Sequence, residues 1–262
     1  PRILHKSTSA MALAQRAGHV GKAEALVAQQ HGEVVDQIRG LAEQRVGILR
    51  HRGQRGLDAL LAHSPDAAGL ILIAQNSVGN HRDSREAHFA RRLQEAGFAT
   101  LLFDLLNHYE ESRDPDTRFN TPLLGQRIRA VFEWLAHQPP LATLPVGLVA
   151  SSTGCGAAIR AIANQPDVLS ALVCRGGRPG LAGISPLRMV PCPTRVIVGA
   201  RDEGLPNIRQ AYDLMTCTKD WQSIAGTDDY FREPGALDDA ATLSAEWFHR
   251  HLVRRETEAA ER

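Results

Sequence analysis

Apolar positions along the chain follow two different periods. In residues 1–44, Val34, Ile38, Leu41 and Ala42 fall on one face at helical spacing. Gly18, Gly21 and Gly32 interrupt that stretch. The pattern predicts a helical N-terminal extension over 1–44, made of two or three pieces. It would pack over the main domain or across a homo-oligomer interface, because so short a segment buries too little to stand alone.

From residue 45 to 262 the pattern becomes strand and helix in alternation. Val46–Leu49 and Leu57–Leu61 read as short strands joined by a turn around Gly53–Gly56. Gly69–Ala74 is a continuous apolar run, as a strand buried on both faces requires. Further strands are expected at Ala99–Leu105, Val146–Ala150, Ala171–Cys174, Arg195–Val198 and Trp221–Ile224. Helices are expected at Ser84–Ala96, Leu123–His137, Gly154–Asn164, Asn207–Thr216 and Gly235–Val253, with Pro139–Pro140 in a connection. Such alternation predicts an α/β domain with a mostly parallel sheet covered on both faces. Ligands in such sheets bind beyond the carboxyl ends of the strands.

Composition narrows the classes. Hydrophobic residues make up 43% and charged residues 23% of the 262, ordinary values for a globular protein. No apolar run approaches the roughly 18–20 residues of a membrane span. The net charge is +1, from 30 basic and 29 acidic residues, which gives no electrostatic case for nucleic acid or anionic membrane as partner. Lysines stand only at 6, 22 and 219, so arginine dominates, in scattered positions that read as the codon bias of a GC-rich bacterial genome. Cys155, Cys174, Cys192 and Cys217 lack metal or disulfide-scaffold spacing, and a reducing cytoplasm is the expected compartment. The first 23 residues contain no acid, a weak transit-peptide feature, but the helical extension is the preferred reading.

The most specific local signal is Val146-Gly147-Leu148-Val149-Ala150-Ser151-Ser152-Thr153-Gly154. It runs strand, tight turn, helix. Ala150-x-Ser152-x-Gly154 is the nucleophile-elbow pattern with alanine for its first glycine. Small neighbours let the serine hydroxyl project above the sheet, and the N–H of Thr153 then helps form an oxyanion hole. A phosphate-binding turn is the rival reading. It lacks a third glycine, since 159 is isoleucine, and has no P-loop lysine. Cys155, one turn into the helix, suits packing better than attack.

With this elbow, residues 45–253 resemble the dienelactone-hydrolase-like branch of the α/β-hydrolase superfamily. The likeness extends over Cys174-Arg175-Gly176-Gly177-Arg178-Pro179, Leu181-Ala182-Gly183, Val198-Gly199-Ala200-Arg201-Asp202, Glu233-Pro234-Gly235-Ala236-Leu237 and Ala245-Glu246-Trp247-Phe248. The resemblance implies an α/β-hydrolase fold without a cofactor or metal. It makes Ser152 the nucleophile and Asp202 the triad acid, in the chain order of that fold.

The third member departs. The family's histidine position is occupied by Asp229, and none of the eleven histidines falls between 138 and 248. His249 and His251 are expected to face solvent from the closing helix. The family's His-Gly after the first long strand is replaced by Gln75-Asn76. Their side-chain amides are the candidate oxyanion donors, together with Thr153. An aspartate near pKa 4 is a poor base for a serine hydroxyl. If Asp202 and Asp229 face each other, repulsion should raise one pKa so that they share a proton. His108, on the loop after strand 99–105, is the alternative base, ahead of His81. An Asp202, Asp228 and Asp229 metal cluster is disfavoured, because no histidine lies nearby in sequence.

Two functions follow. The first is a small-molecule enzyme acting on an ester, lactone or other carbonyl substrate with a His-less triad, weak on simple esters. The second is a degenerate hydrolase serving as a binding or assembly subunit.

Overall fold

The computed structural model describes residues 42–48, 57–75 and 84–252. Residues 1–41 of the arm read over 1–44, the turn at Gly53–Gly56 and the segment holding Asn76 and His81 lie outside the described residues.

The described strands form one eight-stranded sheet. They are β1 (Ala42–Ile48), β2 (Leu57–His63), β3 (Leu70–Gln75), β4 (Ala99–Asp104), β5 (Val146–Ser152), β6 (Ala171–Gly177), β7 (Thr194–Gly199) and β8 (Lys219–Ile224). Their order is β1-β2-β4-β3-β5-β6-β7-β8, with β2 antiparallel to β4 and parallel pairing from β4 through to β8. The helices are α1 (Ser84–Glu95), α2 (His108–Arg113), α3 (Thr121–Ala136), α4 (Pro139–Ala142), α5 (Gly154–Ile162), α6 (Ile184–Arg188), α7 (Leu205–Leu214) and α8 (Ala236–His251). Every residue of β3, β4, β6 and β7 is buried, which is why their centres read as apolar runs, with buried polar residues such as Asp104 and Arg175 toward their carboxyl ends.

Two cores flank the sheet. One takes Leu124, Ile128, Val131 and Leu135, a single helical stripe of α3, with α5 and α7 beside it. The other takes Phe89 and Leu93 of α1 with Trp247 and Phe248 of α8. Gly147 on β5 makes that second packing feasible. A Cβ there would meet Phe248 ring carbons at 2.6 and 2.7 Å and Ile71 Cδ1 at 2.9 Å.

Three expectations are corrected. Residues 42–44 are strand, not helix, because pairing with β2 at the sheet edge outcompetes local helical spacing. Pro139–Ala142 forms a helical turn in what reads as a plain connection; proline suits the first helical positions. His251 is half-buried rather than fully facing solvent. Its ring lies against that of Trp247, 4.1 Å between centroids and tilted by 60°, and burial lowers its pKa first, with Arg250 and Arg195 adding to the effect. His249 is exposed, although its ring lies 4.6 Å from that of Phe98.

Candidate active site

The carboxyl ends of β3, β4, β5, β6, β7 and β8 carry the candidate residues. Ser152 closes β5 with φ of 50°, in the left-handed region that a serine rarely adopts. The β5–β6 register shifts at the same point, between Ser151 and Ser152. α5 then starts at Gly154, so the hydroxyl sits on a sharp strand-to-helix turn. The turn is held from below. Cys155 Sγ donates to the Ala150 carbonyl at 3.2 Å, and a Cβ at position 177 would overlap that sulfur and come within 3.1 Å of the Ser152 carbonyl. Cys155 is thus a packing residue beneath the elbow. Thr153 is buried, and its Oγ1 donates to the Arg118 carbonyl at 2.6 Å.

Asp202 follows β7. Its side chain is only 1% exposed, and Oδ1 accepts the Gly204 N–H at 2.7 Å. Asp229 follows β8 on a loop seated directly on the strand ends. Gly176 and Gly199 create that seat, since a Cβ on either would overlap the Asp229 or Asp228 carbonyl. Arg85 of α1 clamps the far side by donating to the carbonyls of Tyr230 (2.5 Å) and Phe231 (3.1 Å). Phe231 is itself buried with φ of 53°.

Arg178 joins the two carboxylates. Its Nη1 lies 3.2 Å from Asp202 Oδ2 and its Nη2 3.4 Å from Asp229 Oδ2. Its backbone N–H donates to the Ser152 carbonyl at 2.9 Å. Asp229 has a raised pKa. Burial is the main cause and the Asp202 charge the second, with Arg178 acting in the opposite direction. The upward shift at Asp229 has the direction expected from the sequence for two facing carboxylates, and a guanidinium that the sequence did not announce lies against both of them. Arg178 was visible in the sequence only as part of a motif, and nothing in its spacing announced this bridging role.

On the other side of the elbow, Gln75 ends β3, is buried, and accepts the Leu105 N–H at 2.6 Å through its backbone carbonyl. Asp104, also buried, is its register partner on β4. This carboxylate at the strand edge escaped the sequence reading. His108 opens α2, behind an Asn107 capping box. Buried Arg127 fixes the same connection by donating to the Leu105 carbonyl and pairing with Glu110. Among the described residues there is no cluster of His, Cys, Asp and Glu suited to a metal ion.

A dienelactone hydrolase from Anabaena variabilis shares 38% sequence identity with this chain at a TM-score of 0.74, covering 81% of this chain and 99% of its own. The chain belongs to the dienelactone hydrolase family. Est1E from Butyrivibrio proteoclasticus, 14% identical, has the same fold at a TM-score of 0.65, over 79% of this chain and 98% of its own. Provisionally named phosphoribosyl transferases from two Mycobacterium tuberculosis strains are 42% identical over 185 residues, 70% of this chain. The chain spans 41% of the length of those curated relatives. No family model matches the chain. Within the dienelactone hydrolase fold, the described part of this chain keeps a strained serine elbow and a buried carboxylate after β7. An Asp–Arg pair stands at the end of β8.

Proposed function

We propose that the protein is a small-molecule enzyme acting on an ester, lactone or other carbonyl substrate through a non-standard, His-less site. Ser152 attacks or orients the carbonyl. The Thr153 N–H and the Gln75–Asn76 loop form the oxyanion side. Asp229 handles the proton, and Asp202 with Arg178 sets its charge state. The observation that carries this reading is the φ of 50° at Ser152. Such a conformation costs about 1–3 kcal/mol and persists only where the surroundings impose it.

The raised pKa of Asp229 moves that carboxyl toward general acid–base use, but leaves it a weaker base than imidazole for a serine hydroxyl. Slow turnover of simple activated esters follows. His108 is the reserve base from the β4 side. The cytoplasm is the proposed compartment, and association through the N-terminal helices the proposed route to an oligomer. We assign the phosphoribosyl transfer in the mycobacterial names to the length of those proteins that this chain does not match, because the elbow turn lacks phosphate-loop chemistry.

A second reading has its own observation. Arg178 occupies both carboxylates, as a retired site would allow, and the protein would then serve as a binding or assembly subunit. The test is turnover of a panel of esters and lactones by the unmodified protein and by Ser152→Ala. Turnover that disappears in Ser152→Ala supports the enzyme. Absence of turnover on every member supports the binding subunit.

A further inference from the structure

A groove of about 470 Å³ runs between the turn Pro179–Ala182 with α6 on one side and α7 on the other. That volume lies in the ordinary range for small-molecule sites, roughly 300–1,000 Å³. Its walls include Leu181, Ile184, Leu187, Ile208, Ala211 and Leu214, and its single charged lining residue is Arg178. Arg178, at the border of the groove, joins Asp202 to Asp229 through its side chain and donates its backbone N–H to the Ser152 carbonyl.

The surface around the strand ends has the same character. Among the described residues the exposed large hydrophobics are Tyr109, Phe119, Leu181, Ile184 and Tyr230. All of them lie on connections leaving the carboxyl ends of β4, β6 or β8. Phe119 follows Arg118, whose carbonyl is bonded to Thr153 beside the elbow, and Tyr230 follows Asp229. Exposed apolar surface gathered at one edge marks a binding site.

Charge selects the polar end of the ligand. Two carboxylates flank one guanidinium here, so an added anion meets like charge. A neutral carbonyl or hydroxyl meets no such penalty. It accepts from a guanidinium whose side chain is 37% exposed and which has N–H groups beyond those that reach the aspartates.

We propose that this groove binds the apolar chain of an uncharged carbonyl compound whose polar end lies at Arg178. On the hydrolase reading of Ser152, on which the identification of this ligand as substrate rests, the substrate is a neutral ester or lactone bearing such a chain. A small carboxylate-bearing lactone is excluded.

Methyl ketones test the groove without requiring turnover. Binding of 2-octanone, 2-hexanone and 2-butanone to the full chain is measured by calorimetry at pH 8, beside octanoate. Affinity should rise by up to about fourfold for each methylene buried. Octanoate should bind at least tenfold more weakly than 2-octanone. Ile184→Ser, at an exposed position that leaves the core intact, should weaken 2-octanone severalfold. Ala211→Phe should fill the groove and abolish binding. Affinity independent of chain length overturns the proposal, as does octanoate equal to the ketone, or Ile184→Ser equal to the unmodified protein. Chain-dependent ketone binding without hydrolysis of any ester would leave the groove assigned and remove the hydrolase reading. Ser152-dependent hydrolysis without ketone binding would do the reverse.

Discussion

Returning an imidazole to position 229 is the most direct probe of the site. The backbone there is fixed independently of the side chain. Its carbonyl rests on Gly176, Arg85 holds the next two carbonyls, and Phe231 locks the turn. Asp229→His therefore places a ring where the carboxylate now stands, 27% exposed and facing Arg178. A positioned general base is worth about 10²–10⁴-fold. Arg178 reduces that gain, because it competes for Asp202, which should orient the imidazole, and because its charge disfavours the imidazolium. We expect Asp229→His to raise hydrolysis of p-nitrophenyl acetate at pH 7.5 by roughly one to three orders of magnitude, or about 1.4–4 kcal/mol off the barrier. Asp229→His with Arg178→Met should reach the upper end. The gain must disappear when Ser152→Ala is added, since the new base acts through that hydroxyl. Rapid Ser152-dependent hydrolysis by the unmodified protein would refute the reasoning, because another group would then already supply the base. A gain that survives Ser152→Ala would refute it equally.

Three further outcomes are expected. Because the folded pKa of Asp229 is raised, its contribution to stability is greatest below the ordinary aspartate value of about 3.8 and is lost as pH rises through the folded value; urea midpoints across that window should show this fall, and Asp229→Asn should remove it. Gly176→Ala, at φ of 50° and against the Asp229 carbonyl, should cost about 2–4 kcal/mol by urea unfolding, whereas Gly226→Ala, at φ of 73° with open space around it, should cost about 1 kcal/mol; equal losses would contradict the seating of the loop. Arg178→Met should cost about 1–2 kcal/mol at pH 7 by removing the ion partner of buried Asp202, less than a fully buried pair because the arginine is one-third exposed; no measurable loss would place its role outside stability.

The sheet was legible because the strands buried on both faces are continuous apolar runs, as in Leu70-Ile71-Leu72-Ile73 and Val196-Ile197-Val198. Their ends were less so. β6 continues past Cys174 to Gly177, because pairing with the end of β5 carries the ladder on to the elbow. Ser152 and Asp202 could be located from strand–turn–helix context and chain order. Arg178 could not, because its role depends on two partners at separations of 24 and 51 residues, and no local period encodes such a meeting. The partial burial of His251 was missed for a different reason. It lies one turn after Trp247 on α8, and the ring contact is the i,i+4 neighbourhood of that helix, which the charged neighbour Arg250 obscured.

Backbone strain gives the strongest argument for treating the two ends of the site as one device. Among the described residues, the non-glycine positions with positive φ are Ser152, Asn164 and Phe231. Asparagine enters this region readily, in turns such as the one after α5. A serine ending a strand and a buried phenylalanine do so only where packing over-determines them. One of these points is the elbow, and the other lies two residues beyond Asp229. Gly176, also in the left-handed region, stands between them at the end of β6 and touches the Asp229 loop. The elbow and the loop after β8 thus each carry a strained residue, and the strand between them meets that loop at Gly176. Arg178, which reaches both Asp202 and Asp229, stands against the same loop.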